Sequence, residues 1–248
     1  MKLLNLDEFK GYLDSLKVTR SIKTIQLHHT WSPNYSHFNG NHLTLQRNMQ
    51  THHIKNNGWS DIGQHFTIFP DGTICTGRDI NSSPAGIKGA NTGSICIECL
   101  GNFDIGGDEM TEEQMNSIIG VTRMLLDRFN LKAKSGVIYH AWWTASGKSL
   151  GTYVKGKSAK TCPGTNFFGG NTKEAYKNYL MPLIENYGKE EKIMYNTIND
   201  VPDWGKATIE KLIKKGFLNG DAEGKLNLSM DMLRVLVIND RAGLYGKE

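Results

Sequence analysis

Cysteine is scarce in this chain. Its four thiols, Cys75, Cys96, Cys99 and Cys162, are spread over 248 residues, and without a secretion signal beside them they do not suggest a disulfide scaffold. At least one thiol is therefore available for chemistry. Long apolar runs are missing as well: no stretch approaches the roughly 20 residues that cross a bilayer, and residues 1–10 lack the basic-then-apolar pattern of a signal peptide. A protein of this kind that acts outside the membrane needs something else to release it. Dense basic runs are also absent. Residues 190–248 carry 9 basic and 10 acidic side chains, which leaves 20 basic and 15 acidic for residues 1–189. That mild positive excess suits an anionic polymer and argues against a nucleic-acid partner. No internal repeat or low-complexity tract is evident.

What is present reads as an alternation of helices and strands. Leu6, Phe9, Leu13 and Leu16 share one face of a helix over residues 6–17. A short strand over 23–27 ends at His28-His29-Thr30, and a helix over 42–55 is stopped by Asn56-Asn57-Gly58. Residues 64–69 and 73–76 flank Pro70-Asp71-Gly72 as a hairpin. Residues 94–100 are apolar apart from Glu98, the pattern of a strand buried on both faces. Thr111-Glu112-Glu113-Gln114 reads as a capping box opening a helix to residue 129, and a strand over 136–139 delivers His140. The expected fold class is α/β: a mixed central β-sheet flanked by helices over residues 1–185. Residues 186–194 are charged and poor in apolar side chains, as in a linker. Residues 195–248 form a small, mainly helical module with helices at 201–215 and 229–242, and a core this small is marginal by itself.

His28, His140 and Cys162 each fall at a strand end or in a loop. Two imidazoles, one thiolate and an open fourth position make a known type of catalytic zinc site. Each residue taken alone also reads as ordinary hydrogen-bonded structure, and spacing does not decide between the two. Glu98 raises a similar question, because an ionised carboxylate in an apolar strand costs several kcal/mol unless it is paired or functional. A structural salt bridge and a general base are both open readings of it.

The local wording goes further. Ile25-Gln26-Leu27-His28-His29-Thr30, the run Gly58-Trp59-Ser60-Asp61-Ile62-Gly63-Gln64-His65-Phe66, Asp71-Gly72-Thr73 with Gly77-Arg78, Gly89-Ala90-Asn91, Ser94-Ile95-Cys96-Ile97-Glu98, Tyr139-His140 and Lys160-Thr161-Cys162-Pro163-Gly164 occur in that order. Together they resemble the zinc-dependent N-acetylmuramoyl-L-alanine amidase family, which includes phage amidase-type lysozymes and peptidoglycan recognition proteins. The likeness is greatest to clostridial phage endolysins. The resemblance implies that Zn2+ is held by His28, His140 and Cys162, that Glu98 moves protons, and that Lys160 stabilises the oxyanion formed when water attacks the amide. Alternation along a strand supports taking only one of the adjacent histidines as a ligand. Gln64, Asn91 and Trp31 are the expected substrate contacts. His37, His52, His53 and His65 have no ligand counterpart and are read as structural.

Two departures stand out. Phage lysozymes and recognition proteins of the family carry a catalytic tyrosine where this chain has Gln64; an amide cannot act as an acid, which shifts proton transfer toward Glu98. Residues 141–159 form a long insert between the second and third ligands, and Trp142-Trp143 in it either stack on sugar or pack. Cys96 and Cys99, three apart on a strand, face opposite ways and are read with Cys75 as packed thiols.

Asn199-Asp200-Val201-Pro202-Asp203-Trp204, Gly216-Phe217-Leu218-Asn219-Gly220-Asp221 and Met232-Leu233-Arg234-Val235 resemble half of an S-layer-homology-like repeat. This implies attachment to a secondary wall polymer through residues 195–248, with Trp204 and Phe217 either offering contacts or filling the core. Lys189-Glu190-Glu191 before Met194 suggests a second translation start, whose fragment would associate with the full chain. The expected partner is bacterial peptidoglycan, and the expected activity is that of an endolysin made in the bacterial cytoplasm without a signal peptide, acting on the wall once the membrane is opened. The rivals are a non-catalytic recognition protein and an intracellular amidase of soluble wall fragments.

Overall fold

The computed structural model describes residues 1–189 and 194–246. The expected linker therefore lies partly outside the described residues, at 190–193, as do Glu190 and Glu191 of the expected start signal. Two compact units are present, Met1–Tyr187 and Gly188–Glu248.

The larger unit is built on a six-stranded mixed sheet flanked by helices. Its strands are β1 (Leu3–Leu4), β2 (Thr24–His29), β3 (Phe66–Ile68), β4 (Ile74–Thr76), β5 (Ser94–Cys99) and β6 (Val137–Tyr139), in the spatial order β1-β4-β3-β5-β2-β6. The hairpin β3–β4 is antiparallel, while β3, β5, β2 and β6 run parallel to their neighbours. Ile25, Leu27, Ile95 and Ile97 are wholly buried, as expected of parallel strands covered on both faces. β2 runs through both histidines rather than stopping before them, because each of its last two residues pairs in register with β5.

Helices cover the sheet, among them the following three. α1 (Leu6–Ser15) begins with a reciprocal cap, Asn5 accepting from the Glu8 N–H and Glu8 accepting from the Asn5 N–H, and buries Phe9 and Leu13. α2 (His42–Lys55) stops at Asn56. α3 (Glu112–Arg128) is opened by Thr111, whose hydroxyl oxygen accepts from the Gln114 N–H.

The expected box at α3 is only half formed, since the Gln114 side chain turns away from the cap. It is fully buried, and its Nε2 donates to the carbonyls of Ile68 (2.8 Å) and Leu100 (2.9 Å). The Leu100 carbonyl, which has no other donor among the described residues, and the Ile68 carbonyl, which also accepts from the Leu100 N–H at 2.9 Å, draw the amide away from a solvent-side cap. Of the two readings open for the tryptophans of the insert, the packed one holds. Trp142 is 2% exposed, packs among Tyr139 and Tyr176, and donates from Nε1 to the Asn171 carbonyl at 2.7 Å, so it fills the core rather than stacking on a ligand. Trp143 also packs against the core, and its backbone bridges to Ser149.

The smaller unit has helices Asp203–Lys214 and Met230–Arg241 and a two-stranded sheet pairing Met194–Tyr195 with Leu228–Ser229. Tyr195, Val201, Ile209, Leu212, Leu228, Leu233 and Val237 form its core. Trp204 and Phe217 are not among them; they are 45% and 64% exposed. No described helix is long and apolar enough to cross a membrane.

Candidate active site

Three parallel strands end side by side at one rim of the sheet. His28 on β2 is opposite Glu98 on β5, and Leu27 is opposite Tyr139 on β6, so His140 follows directly beyond the last paired residue of β6. In-register neighbours in a sheet point to the same face, and carboxyl ends of parallel strands are where open α/β sheets bind ligands. Cys162 reaches the same place from a loop. Its carbonyl accepts from the Ala141 N–H (2.7 Å), and its Sγ lies 3.4 Å from both the His29 N–H nitrogen and His28 Nδ1. One ligand atom from each of His28, His140 and Cys162 falls within 4.8 Å of the others.

This donor set fits a divalent ion of the zinc type. Burial, then His140 and Lys160, hold the His28 imidazole well below its ordinary range, and burial takes His140 down to about 4. Both rings are therefore neutral near pH 7, with a lone pair to offer. Burial and the nearby Glu98 push the Cys162 thiol upward, so a cation is what would convert it to the ligating thiolate.

A cleft of about 810 Å³ opens over these groups. Glu98 faces it, partly exposed, and makes no ion pair or side-chain hydrogen bond among the described residues. The salt-bridge reading thus finds no partner. Burial lifts the Glu98 carboxyl to about 7, against the opposing pull of Lys160, which itself lines the cleft. Gln64 is 1% exposed at the cleft wall; its Nε2 donates to Thr67 Oγ1 at 2.9 Å, while Oε1 has no partner. Trp31 lines the mouth at 60% exposure, held at φ 59°.

Asn91, an expected substrate contact, is not among the residues lining the cleft; its Oδ1 accepts from the N–H groups of Gly86 (3.0 Å) and Ile87 (2.9 Å). Its effect on the site is made through that loop, of which Gly86 does reach the cleft wall. His29 turns elsewhere than its neighbour, with Nδ1 accepting from the Phe103 N–H. His65 is structural too, its Nδ1 accepting from the Cys96 N–H.

Several cleft residues escaped sequence reasoning. His37, His52 and His53 line the wall along with Trp59 and Asp104. His53 accepts from the Gly63 N–H at 3.1 Å and lies against Trp59, with ring centroids 4.7 Å apart. Asp104 takes the Thr161 hydroxyl at 3.0 Å and the Thr165 N–H at 2.9 Å, bracing the segment that carries Cys162. The sequence places His52 and His53 on the helix over 42–55, but which face of it meets the cleft depends on packing.

A family model described as N-acetylmuramoyl-L-alanine amidase matches residues 18–165, a span containing every cleft residue named above. The chain belongs to the N-acetylmuramoyl-L-alanine amidase family. Among curated relatives, peptidoglycan-recognition protein SC2 of Drosophila simulans is 29% identical over 142 residues, covering 57% of this chain and 68% of the relative. The endolysin of Enterobacteria phage K11 is 36% identical over 74 residues, or 29% of this chain and 49% of the endolysin, so the chain spans about half the length of that relative. Among solved structures, Drosophila peptidoglycan recognition protein SA superposes with a TM-score of 0.51 at 17% identity, covering 67% of this chain and 83% of the other, a likeness of fold. All of these matches fall short of the full chain.

Proposed function

We propose that the protein is an endolysin: a zinc-dependent amidase that cleaves the bond between the lactyl group of N-acetylmuramate and the L-alanine of the peptidoglycan stem. The observation that carries this reading is the convergence of one atom each from His28, His140 and Cys162 within 4.8 Å, beside an unpaired Glu98. When bound, the ion supplies Lewis acidity at the position left open by two imidazoles and a thiolate.

The chain's own groups supply the rest. Glu98, lifted to about 7 by burial, is poised to accept a proton from the attacking water and return it to the departing amine. Lys160 brings a positive charge to the cleft for the oxyanion. Gln64 forms part of the cleft wall against which substrate would lie, its Oε1 buried and without a partner, and Trp31 offers an exposed face for stacking on sugar.

Relatives of this chain include both endolysins and recognition proteins, and a recognition protein would use the same cleft without catalysis. The three clustered ligand groups and Glu98 favour the enzyme. Replacing Cys162 by serine separates the two: bound zinc and release of free amino groups from purified walls should both fall at least about 100-fold. Wild-type protein that binds walls but releases no amino groups, with zinc present, would establish the recognition reading instead.

The smaller unit is proposed to attach the enzyme to a secondary wall polymer, and to associate with its own kind. Exposed Trp204 and Phe217 support the first role. Met232, Val235 and Ile238, three exposed apolar side chains spaced along the outer face of one helix, support the second.

A further inference from the structure

Gln26 is an amide in the middle of a buried strand. It is 0% exposed, and two residues before His28 on β2 it points to the same face. An amide there is costly unless its hydrogen-bonding groups are satisfied. Its Nε2 donates to the Ala90 carbonyl at 2.9 Å, and its Oε1 lies 3.2 Å from His28 Nε2. A backbone carbonyl can only accept, which assigns the nitrogen of the amide to Ala90 and the oxygen to His28. An amide oxygen can also only accept, so His28 must carry its hydrogen on Nε2. A neutral imidazole has a single N–H, which leaves the lone pair on Nδ1, the atom 3.4 Å from Cys162 Sγ.

We infer that Gln26 is a positioning residue for the metal centre: its side-chain oxygen holds His28 in the Nε2–H form and aims Nδ1 at the ion. The inference rests on the zinc reading proposed above. The neighbouring loop completes the device. Asn91 gathers the Gly86 and Ile87 N–H groups, setting Gly86 against the pair, where a Cβ would fall 2.2 Å from Gln26 Oε1 and 3.1 Å from His28 Nε2. Any side chain at position 86 would push the amide off the imidazole.

The test uses the full chain, stripped of metal and titrated with zinc against a chromophoric chelator. Q26M keeps the length of the side chain and removes the acceptor, and should bind zinc about 10- to 100-fold more weakly. T24V removes a hydroxyl from the same strand, where it bonds Ser94, and should leave zinc affinity unchanged. In wild-type protein loaded with zinc, 15N NMR should show the His28 hydrogen on Nε2 and the metal on Nδ1. Q26M with wild-type affinity overturns the inference, as does an equal loss in T24V or a spectrum with the metal on Nε2. Should Q26M fail to fold, the wild-type spectrum decides by itself. A wild-type chain that takes up no zinc brings down the metal reading and this inference with it, whereas zinc uptake with the tautomer reversed brings down this inference alone.

Discussion

Glu98 shows how one residue's surroundings set its chemistry. The carboxyl has an ordinary value of 4.5 and is lifted to about 7 by burial. In metal-free protein the folded state thus keeps a proton that the unfolded chain has already released, so stability falls as pH rises from about 4.5 to about 7 and the full penalty remains above that. At 1.36 kcal/mol per unit the penalty is about 3 kcal/mol at most, less whatever solvent in the cleft relieves. E98Q removes it. Thermal melts of the metal-free proteins should show E98Q the more stable at pH 8, with the gap closing toward pH 4; a gap that is absent at pH 8 would mean Glu98 is not desolvated. The same substitution should abolish turnover, since glutamine cannot take a proton. That Glu98 was conspicuous followed from its neighbours in sequence, all apolar or small. That it lacks an ion-pair partner did not, because the candidates come from other elements.

Among the elements, α3 carries the clearest structural burden. Thr111 caps it, yet Gln114, one turn in, is spent on the sheet, where one amide satisfies the carbonyls of Ile68 and Leu100 and its oxygen takes the Tyr35 hydroxyl. Q114L would leave the Leu100 carbonyl unpaired, take one of two donors from the Ile68 carbonyl, which keeps the Leu100 N–H, and take the acceptor from the Tyr35 hydroxyl, with an expected loss of about 1 to 3 kcal/mol in urea unfolding. A loss below about 0.5 kcal/mol would show that water replaces the amide there. The helix itself was legible from its apolar spacing and its capping threonine. The destination of Gln114 was not, because a capping box and a buried bridge begin with the same four residues. Trp142 poses the same ambiguity within the insert: the sequence leaves stacking on sugar and packing equally open, and Tyr139, Tyr176 and the Asn171 carbonyl form a pocket that accepts its ring and satisfies its N–H.

At the scale of the whole molecule, each of the two units has its own buried core. Residues 1–187 produced alone should melt cooperatively and hydrolyse soluble muropeptides at close to the full chain's rate, while losing retention on intact walls. Residues 194–248 should be retained on walls and sediment as more than a monomer, a state that I238D should disperse. Equal wall retention of both forms of the enzyme would remove the attachment role. Much of this organisation was readable in the chain: strands by their apolar runs, helices by their periodicity, and the three ligand candidates by the family wording around them. These depend on near neighbours, and near neighbours are what a sequence records. Which ring nitrogen of His28 lies toward Cys162, why Gln26 is tolerated in a buried strand, and which loop Asn91 braces were decided only by the tertiary structure. In each case the deciding partner is brought by packing from another part of the chain, and a hydrogen bond exists only once both ends are in place.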